Sequence, residues 1–103
     1  MRRRYEILLP LTFNDGTPVP DDVLTHTREE LVERFGGVYA QQGNILGIGV
    51  TEGKRHEDSL ALVTVDVEDD AETRRFFERW KETLRGRFRQ VEVYIATYLI
   101  EVV

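Results

Sequence analysis

A chain of 103 residues, 41% of them hydrophobic, can bury one core and is too short for a second, so we expect a single domain over residues 1–103. The absence of cysteine excludes disulfides, thiolate metal sites and cysteine nucleophiles, and makes the cytoplasm the expected location. The net charge of −5 disfavours nucleic acid as a partner, and no apolar run predicts a signal peptide or a membrane span.

The first predicted elements are a strand and a helix. Apolar residues alternate from Tyr5 to Phe13, which predicts a strand with one buried face. Because proline has no N–H for the strand ladder, this strand should end near Pro10 or lie at a sheet edge there. Turn residues follow, and apolar residues three and four positions apart then predict a helix over Asp21–Phe35 that stops at Gly36.

The middle of the chain predicts two strands of unequal quality. Val38–Val50 is a strand interrupted by glycines, with a bulge or break expected near Gly43. The polar segment Thr51–Asp58 predicts an exposed hairpin loop. Leu60–Val67 is apolar at nearly every position, which places it in the middle of the sheet.

The last third predicts a second helix and a final strand. Asp69 or Asp70 should cap a helix whose large apolar residues recur every four positions from Phe76 to Phe88. Val91–Val103 is apolar on both faces in its second half and is long beside the usual strand of about five or six residues. We therefore expect the C-terminal strand to be extended or split.

The predicted order is βαββαβ, an α+β fold in which two helices cover one face of a four-stranded antiparallel sheet. This order resembles the ferredoxin-like, or split βαβ, superfold. Within it, the chain resembles the dimeric α/β-barrel proteins, in which two sheets pack face to face. The segment Tyr5–Leu11 and the turn Asn14–Pro18 are also similar to small uncharacterised bacterial proteins.

The strands carry more apolar residues than two helices can cover. At roughly 25 cal/mol per Å² of apolar area removed from water, covering this surplus would stabilise the protein by several kcal/mol. The simplest cover is a second copy, so we expect a homodimer or larger assembly that binds through the open face of its sheet. The predicted interface residues are Leu8, Leu60, Leu62, Tyr98, Ile100 and Val102.

A small-molecule site is the alternative on the same face. Three tyrosines and three polar residues could line a pocket there, although tyrosines are equally typical of interfaces, which is the interpretation we favour. They are Tyr39, Tyr94, Tyr98, Glu6, Thr64 and Asp66.

The resemblance to dimeric barrels implies a second function, a cofactor-independent oxygenase or isomerase. Its candidate catalytic residues would be Tyr39, Tyr94, His26 and His56, although a solvated position is the simpler expectation for each histidine. The sequence leaves open whether a small molecule or another protein is the further partner.

We expect neither a metal nor a cofactor. The carboxylates of Asp15, Asp21 and Asp22 match no calcium-loop spacing. The glycines at 43, 47 and 49 precede a strand, whereas a phosphate loop precedes a helix. The arginines between 74 and 89 alternate with glutamates at neighbour spacing, which is typical of a solvated helix and not of a nucleic-acid surface.

Overall fold

The computed structural model describes residues 1–43 and 45–103. The elements in chain order are β1 (Arg2–Pro10), α1 (Asp21–Phe35), β2 (Tyr39–Thr51), β3 (Lys54–Glu68), α2 (Ala71–Arg87) and β4 (Tyr94–Ile100). The strands form one antiparallel sheet in the order β2-β3-β1-β4. The predicted α+β class, with two helices beside an antiparallel sheet, is confirmed.

Both helices begin and end where the periodicity and the end signals predict. Asp21 and Asp22 lie in the first turn of α1, where carboxylates favour the positive end of the helix dipole. Asp70 is the cap of α2, because its carboxylate accepts a hydrogen bond of 2.8 Å from the backbone N–H of Thr73. Asp69, the other predicted cap, instead accepts a hydrogen bond from Arg3.

The core lies between the helices and one face of the sheet. The aromatic ring of Phe77 in α2 stacks on Tyr5 of β1 with their centroids 3.9 Å apart. Because buried residues of α1 and α2 join the same cluster, both helices cover the same face of the sheet and the other face has no helix over it. The core includes Tyr5, Ile7, Leu9, Leu24, Leu31, Ala61, Val63, Val65, Val67, Phe77, Trp80, Leu84, Phe88 and Val93.

The positions of β1 and β3 in the sheet test two predictions made from the sequence. β1 ends at Pro10 and lies between β3 and β4, so the proline ends the strand and does not mark a sheet edge. Beyond it, the chain turns at Phe13, whose N–H donates to the carbonyl of Thr17. β3 lies between β2 and β1, as its apolar composition predicted.

The predicted loop Thr51–Asp58 is wrong. β2 continues to Thr51 and β3 begins at Lys54, so only Glu52 and Gly53 form the turn. Their φ angles of 53° and 76° suit a two-residue hairpin turn of type I′, the type that requires positive φ at both positions. The segment has the polarity of a loop because both faces of this part of the hairpin are exposed. The predicted irregularity near Gly43 is confirmed, since the β2–β3 register shifts between Gln41 and Ile45.

The prediction of an extended or split C-terminal strand is also wrong. β4 covers only seven residues, Tyr94–Ile100, and residues 101–103 belong to no strand. The physical reason is the length of its partner: Ile100 pairs with Arg2, the first residue of β1, so the chain beyond it has no strand to pair with. No helix in the described part of the chain combines the length and apolarity needed to cross a membrane.

Candidate functional site: the open sheet face

The open sheet face is the side of the sheet opposite the helices, and strand register decides which residues share it. Leu8 of β1 lies between Leu62 of β3 and Tyr94 of β4. The same register places Leu60 and Ile100 on this face, next to Pro10 and Arg2 respectively. Side chains from three strands therefore meet on a surface without a helix over it.

One half of this face, the apolar half, is formed by Leu8, Leu60 and Leu62, all of them half-buried within the single chain. Tyr94 borders this half and is exposed. Leu8, Leu60 and Tyr94 also line a groove of about 220 Å³ at this end of the sheet. The apolar half thus contains a groove whose border is an exposed tyrosine with a polar hydroxyl.

The other half is polar and is internally hydrogen-bonded. Arg4 donates twice to Asp66 on the neighbouring strand, with Nε–Oδ1 and Nη2–Oδ2 distances of 2.7 and 3.0 Å. The Tyr98 hydroxyl on β4 donates to the Glu6 carboxylate on β1. These four side chains connect β3, β1 and β4 across the open sheet face.

The pKa directions agree with these contacts. The hydrogen bond from Arg4 holds the pKa of the Asp66 carboxyl below its usual range. The hydrogen bonds that Arg4 donates to Asp66 are the main cause that raises the pKa of Arg4 above its ordinary value. The hydrogen bond to the Glu6 carboxylate raises the pKa of Tyr98. At neutral pH the network therefore holds charged Arg4 and Asp66 and a protonated Tyr98.

The strand alternation predicted Tyr98, Glu6 and Asp66 on this face, but Arg4 was not among the predicted residues. The signal was present, since Arg4 lies two residues from Glu6 in an alternating strand and so shares its face. What the sequence lacks is the register that sets Arg4 opposite both Asp66 and Tyr98.

The tyrosine and histidine candidates do not come together. Tyr39 lies in a groove of about 430 Å³ with Thr64, Asp66 and Val102, whereas Tyr94 lines the separate groove beside Leu8. His26 is exposed on α1 and lines none of the described grooves.

His56 is exposed on β3 beside Gly49, in an open groove of about 630 Å³ that it shares with Asn14 and Asp58. The groove between α2 and the sheet measures only about 110 Å³, below the usual range of about 300–1,000 Å³ for ligand sites. Within the described residues, no group of three or more histidine, aspartate or glutamate side chains is placed to hold a metal ion.

A second surface was not predicted at all. Because β1 ends at Pro10, which pairs with Leu60, residues 46–58 of the β2–β3 hairpin extend past the rest of the sheet; we call this segment the arm. Leu46, Ile48 and Val50 are 54–70% exposed along one side of the arm, and we call them the arm stripe. The residues of the arm stripe pair with Ser59, Glu57 and Arg55 of β3. Along β3 these three residues alternate with residues of the open sheet face, such as Leu60. The arm stripe therefore lies on the opposite side of the sheet, the side that faces the helices.

Solved structures share this fold. The divalent cation tolerance protein CutA1 from Thermus thermophilus aligns with 97% of this chain and 84% of its own, with a TM-score of 0.66 and 20% identity. The periplasmic divalent cation tolerance protein CutA from Archaeoglobus fulgidus aligns with 99% of this chain and 86% of its own, with a TM-score of 0.67 and 14% identity.

A phage SAM lyase in complex with S-methyl-5′-thioadenosine aligns with 94% of this chain and 80% of its own, with a TM-score of 0.67 and 14% identity. No protein-family model matches the chain, and no curated protein sequence matches it. At these identities the likeness establishes the fold alone, and one fold can host unrelated functions. The function must therefore be argued from the surfaces of this chain.

Proposed function

We propose that this chain is a homo-oligomeric binding domain and that copies associate through the open sheet face. The single observation that carries the proposal is the strand register, which gathers Leu8, Leu62 and Ile100 on the one face of the sheet that neither helix covers. In a lone chain this face remains in contact with water.

Covering the apolar half would be favourable. Full burial of a leucine or isoleucine side chain stabilises by about 1.5–3 kcal/mol relative to full exposure, so completing the burial of several half-buried ones contributes several kcal/mol. Tyr94 and Tyr98 supply large contact areas with polar tips, which is typical of interfaces.

The polar half is compatible with burial as well. Arg4 and Asp66 already satisfy each other through two hydrogen bonds, and Tyr98 already donates to Glu6. A second copy can therefore cover the Arg4–Asp66 pair without leaving either charge unpaired, while the Glu6 carboxylate keeps the hydrogen bond from Tyr98. Val102, the sixth predicted interface residue, follows β4 and lies exposed beside the groove at Arg2 and Asp66, where it can extend the same contact.

The geometry favours association over small-molecule catalysis. An enzyme of the dimeric-barrel type would need its tyrosines and a histidine around one cavity, and in this chain Tyr39, Tyr94 and His56 line three separate grooves. We also propose that residues 1–103 form one domain. The cytoplasm is its proposed compartment, because a cysteine-free chain needs no oxidising environment to fold.

Light scattering on purified protein at tens of micromolar tests the proposal. We expect a mass that is a multiple of the 12.0 kDa chain. Ile100→Asp places a carboxylate on the open sheet face and should reduce the mass to that of one chain, while the helical circular dichroism stays the same.

Leu99→Asp is the matched control, since Leu99 is the neighbouring residue on β4 and faces the opposite side of the sheet. This variant should keep the wild-type mass. A monomeric wild type, or an Ile100→Asp variant that stays assembled, would refute the proposed interface.

A further inference from the structure

The groove lined by Arg2, Tyr39 and Asp66, which we call the corner groove, lies where β2 begins. Its volume of about 430 Å³ falls within the usual range of about 300–1,000 Å³ for ligand sites. β2 starts at Tyr39, opposite Thr64, whereas β3 continues to Glu68. The last four residues of β3 therefore form a free edge on this side, and the corner groove lies along it.

The free edge points a backbone N–H into the corner groove. Ser59 of β3, and Asp69 directly after β3, are hydrogen-bonded to the backbone before or after the paired part of β1. Because backbone groups along a strand alternate in direction, the N–H and carbonyl of Asp66 point away from β1. The strand register would place Gly37 opposite Asp66, but Gly37 precedes β2 and belongs to no strand. The Asp66 N–H therefore faces the groove.

The guanidinium of Arg2 lies at the same edge. Its Nη2 donates to the Asp66 carbonyl at 2.9 Å, which holds the side chain beside the groove. Its Nη1 lies 3.7 Å from a Glu68 carboxylate oxygen, and the N-terminal ammonium lies 3.5 Å from the other oxygen. A guanidinium has five N–H donors, and the Arg2 side chain is 44% exposed. Arg2 can therefore donate to a further acceptor.

The charges of the corner groove favour an anion. Arg2 and Asp66 are the charged residues of its lining. The Asp66 carboxylate is largely buried and accepts two hydrogen bonds from Arg4, which balance its charge. The positive charge of Arg2 is therefore the one that the groove presents to a ligand.

The rest of the lining suits a flat apolar body. Tyr39 is 71% exposed, so its ring is accessible for stacking. The apolar side chains of Phe35, Val38 and Val102 line the same groove. The corner groove thus combines an apolar wall with one guanidinium and one backbone N–H, and this small number of polar groups is typical of ligand sites.

We propose that the corner groove binds a small aromatic carboxylate. One carboxylate oxygen accepts a hydrogen bond from the Arg2 guanidinium and the other accepts one from the Asp66 N–H, while the aromatic ring lies against Tyr39. The inference goes beyond the proposed function, because residues of a single chain form the whole groove.

Titration of ¹⁵N-labelled protein with benzoate, followed by amide NMR at neutral pH and low salt, tests the inference. The amide signals of Asp66 and Gly37 should shift along a saturating curve, with a Kd of about 1 mM or lower. Benzamide and benzamidine have the same shape with no charge and with a positive charge, so each should bind at least about tenfold more weakly than benzoate. Equal binding of benzoate and benzamide overturns the inference, as do benzoate shifts confined to the groove beside Leu8.

Phenyl phosphate identifies the head group. Benzoate should bind more tightly, because a carboxylate has two oxygens for the two donors that the groove offers. Tighter binding of phenyl phosphate would indicate a phosphate site and overturn the carboxylate assignment.

Two variants and a matched control locate the site. Arg2→Gln should weaken benzoate binding about tenfold, because it removes a charge-assisted hydrogen bond. Tyr39→Ser should weaken it severalfold through loss of the ring contact. Arg79→Gln removes the same charge from an exposed position of α2 outside the groove lining, and should bind as the wild type does. Circular dichroism checks that each variant is folded. Wild-type affinity in a folded Arg2→Gln variant overturns the inference.

A further variant separates the inference from the proposed function. Leu8→Asp changes the open sheet face near the opposite end of β1 from Arg2. It should reduce the mass to one chain and keep benzoate binding. A variant that loses both would show that the groove requires a second copy, which overturns the inference. A monomeric wild type that binds benzoate overturns the proposed function and supports the inference.

Discussion

The contact between the two helices includes a half-buried ion pair, Glu30 with Arg87, that should contribute measurably to stability. Nη1 of Arg87 donates to Oε1 of Glu30 and, at 3.0 Å, to the Thr27 hydroxyl. The indole N–H of Trp80 donates to the same Glu30 oxygen at 3.4 Å. Glu30→Gln removes the carboxylate and leaves the Arg87 guanidinium without an opposite charge. Arg87→Met removes the guanidinium and leaves the Glu30 carboxylate without one.

The magnitude follows from burial. The side chains of Arg87 and Glu30 are 18% and 31% exposed, between a surface pair and a buried one. Exposed pairs contribute about 0–1 kcal/mol, and breaking a buried pair costs about 3–5 kcal/mol. We expect each single substitution to lower the free energy of unfolding by about 1–2 kcal/mol, and the double variant to lose less than the sum of the two.

The loss should also depend on pH. Partial burial raises the pKa of the Glu30 carboxyl, but the hydrogen bond and charge of Arg87 together outweigh it, and the net pKa lies below the ordinary value of 4.5. A carboxyl whose pKa is lower in the folded state than in the unfolded state stabilises the folded protein. The contribution is complete when the pH is above the unfolded-state pKa, and it is lost as the pH falls through the folded-state pKa. Glu30→Gln should therefore cost more at neutral pH than at about pH 3.

Urea unfolding followed by circular dichroism, at one fixed protein concentration, measures both effects. Lys81→Met is a control, since it breaks an ion pair with Glu92 at the protein surface and should change stability little. Equal costs of Glu30→Gln at both pH values, or additive single and double variants, would refute the reasoning.

Three further substitutions test the fold around the site. Leu84→Ala, at a fully buried position, should lower the free energy of unfolding by about 2–5 kcal/mol, and a loss below that range would show a core able to collapse around the cavity. Gly43→Ala, at a φ of 81°, should cost about 1–2 kcal/mol in urea unfolding, and no loss would contradict the bulge geometry. Gly53→Val should speed amide exchange in the arm but not in β1, and unchanged arm protection would contradict the two-residue turn.

Local signals predicted much of the fold. The bounds of α1 were predictable because helix periodicity and the stop at Gly36 both act within a few residues. The same holds for the end of β1 at Pro10 and for the irregularity at Gly43. The arm was missed because its polar residues have the composition of a loop, although pairing with β2 holds Lys54 in a strand.

The candidate site was predictable only in part. Alternation assigned Leu8 and Ile100 to the face away from the helices, and the register agrees. The network around Arg4 and the exposure of the arm stripe depended on which strands are neighbours and where each strand ends. Strand neighbours and strand ends depend on contacts between residues that are far apart in the chain, so no local sequence pattern predicts them.

The amino-acid sequence by itself determined the α+β class, both helices, the buried alternation of β1, the apolar composition of β3 and a surplus of apolar strand residues, because each follows from the chemistry of neighbouring residues. Only the tertiary structure decided the register that connects Asp66, Arg4, Tyr98 and Glu6, the end of β4 at Ile100 and the extension of the arm past β1. The physical reason is that strand pairing is a non-local contact: its partner, and thus the surface it leaves exposed, is settled only when the whole sheet is assembled.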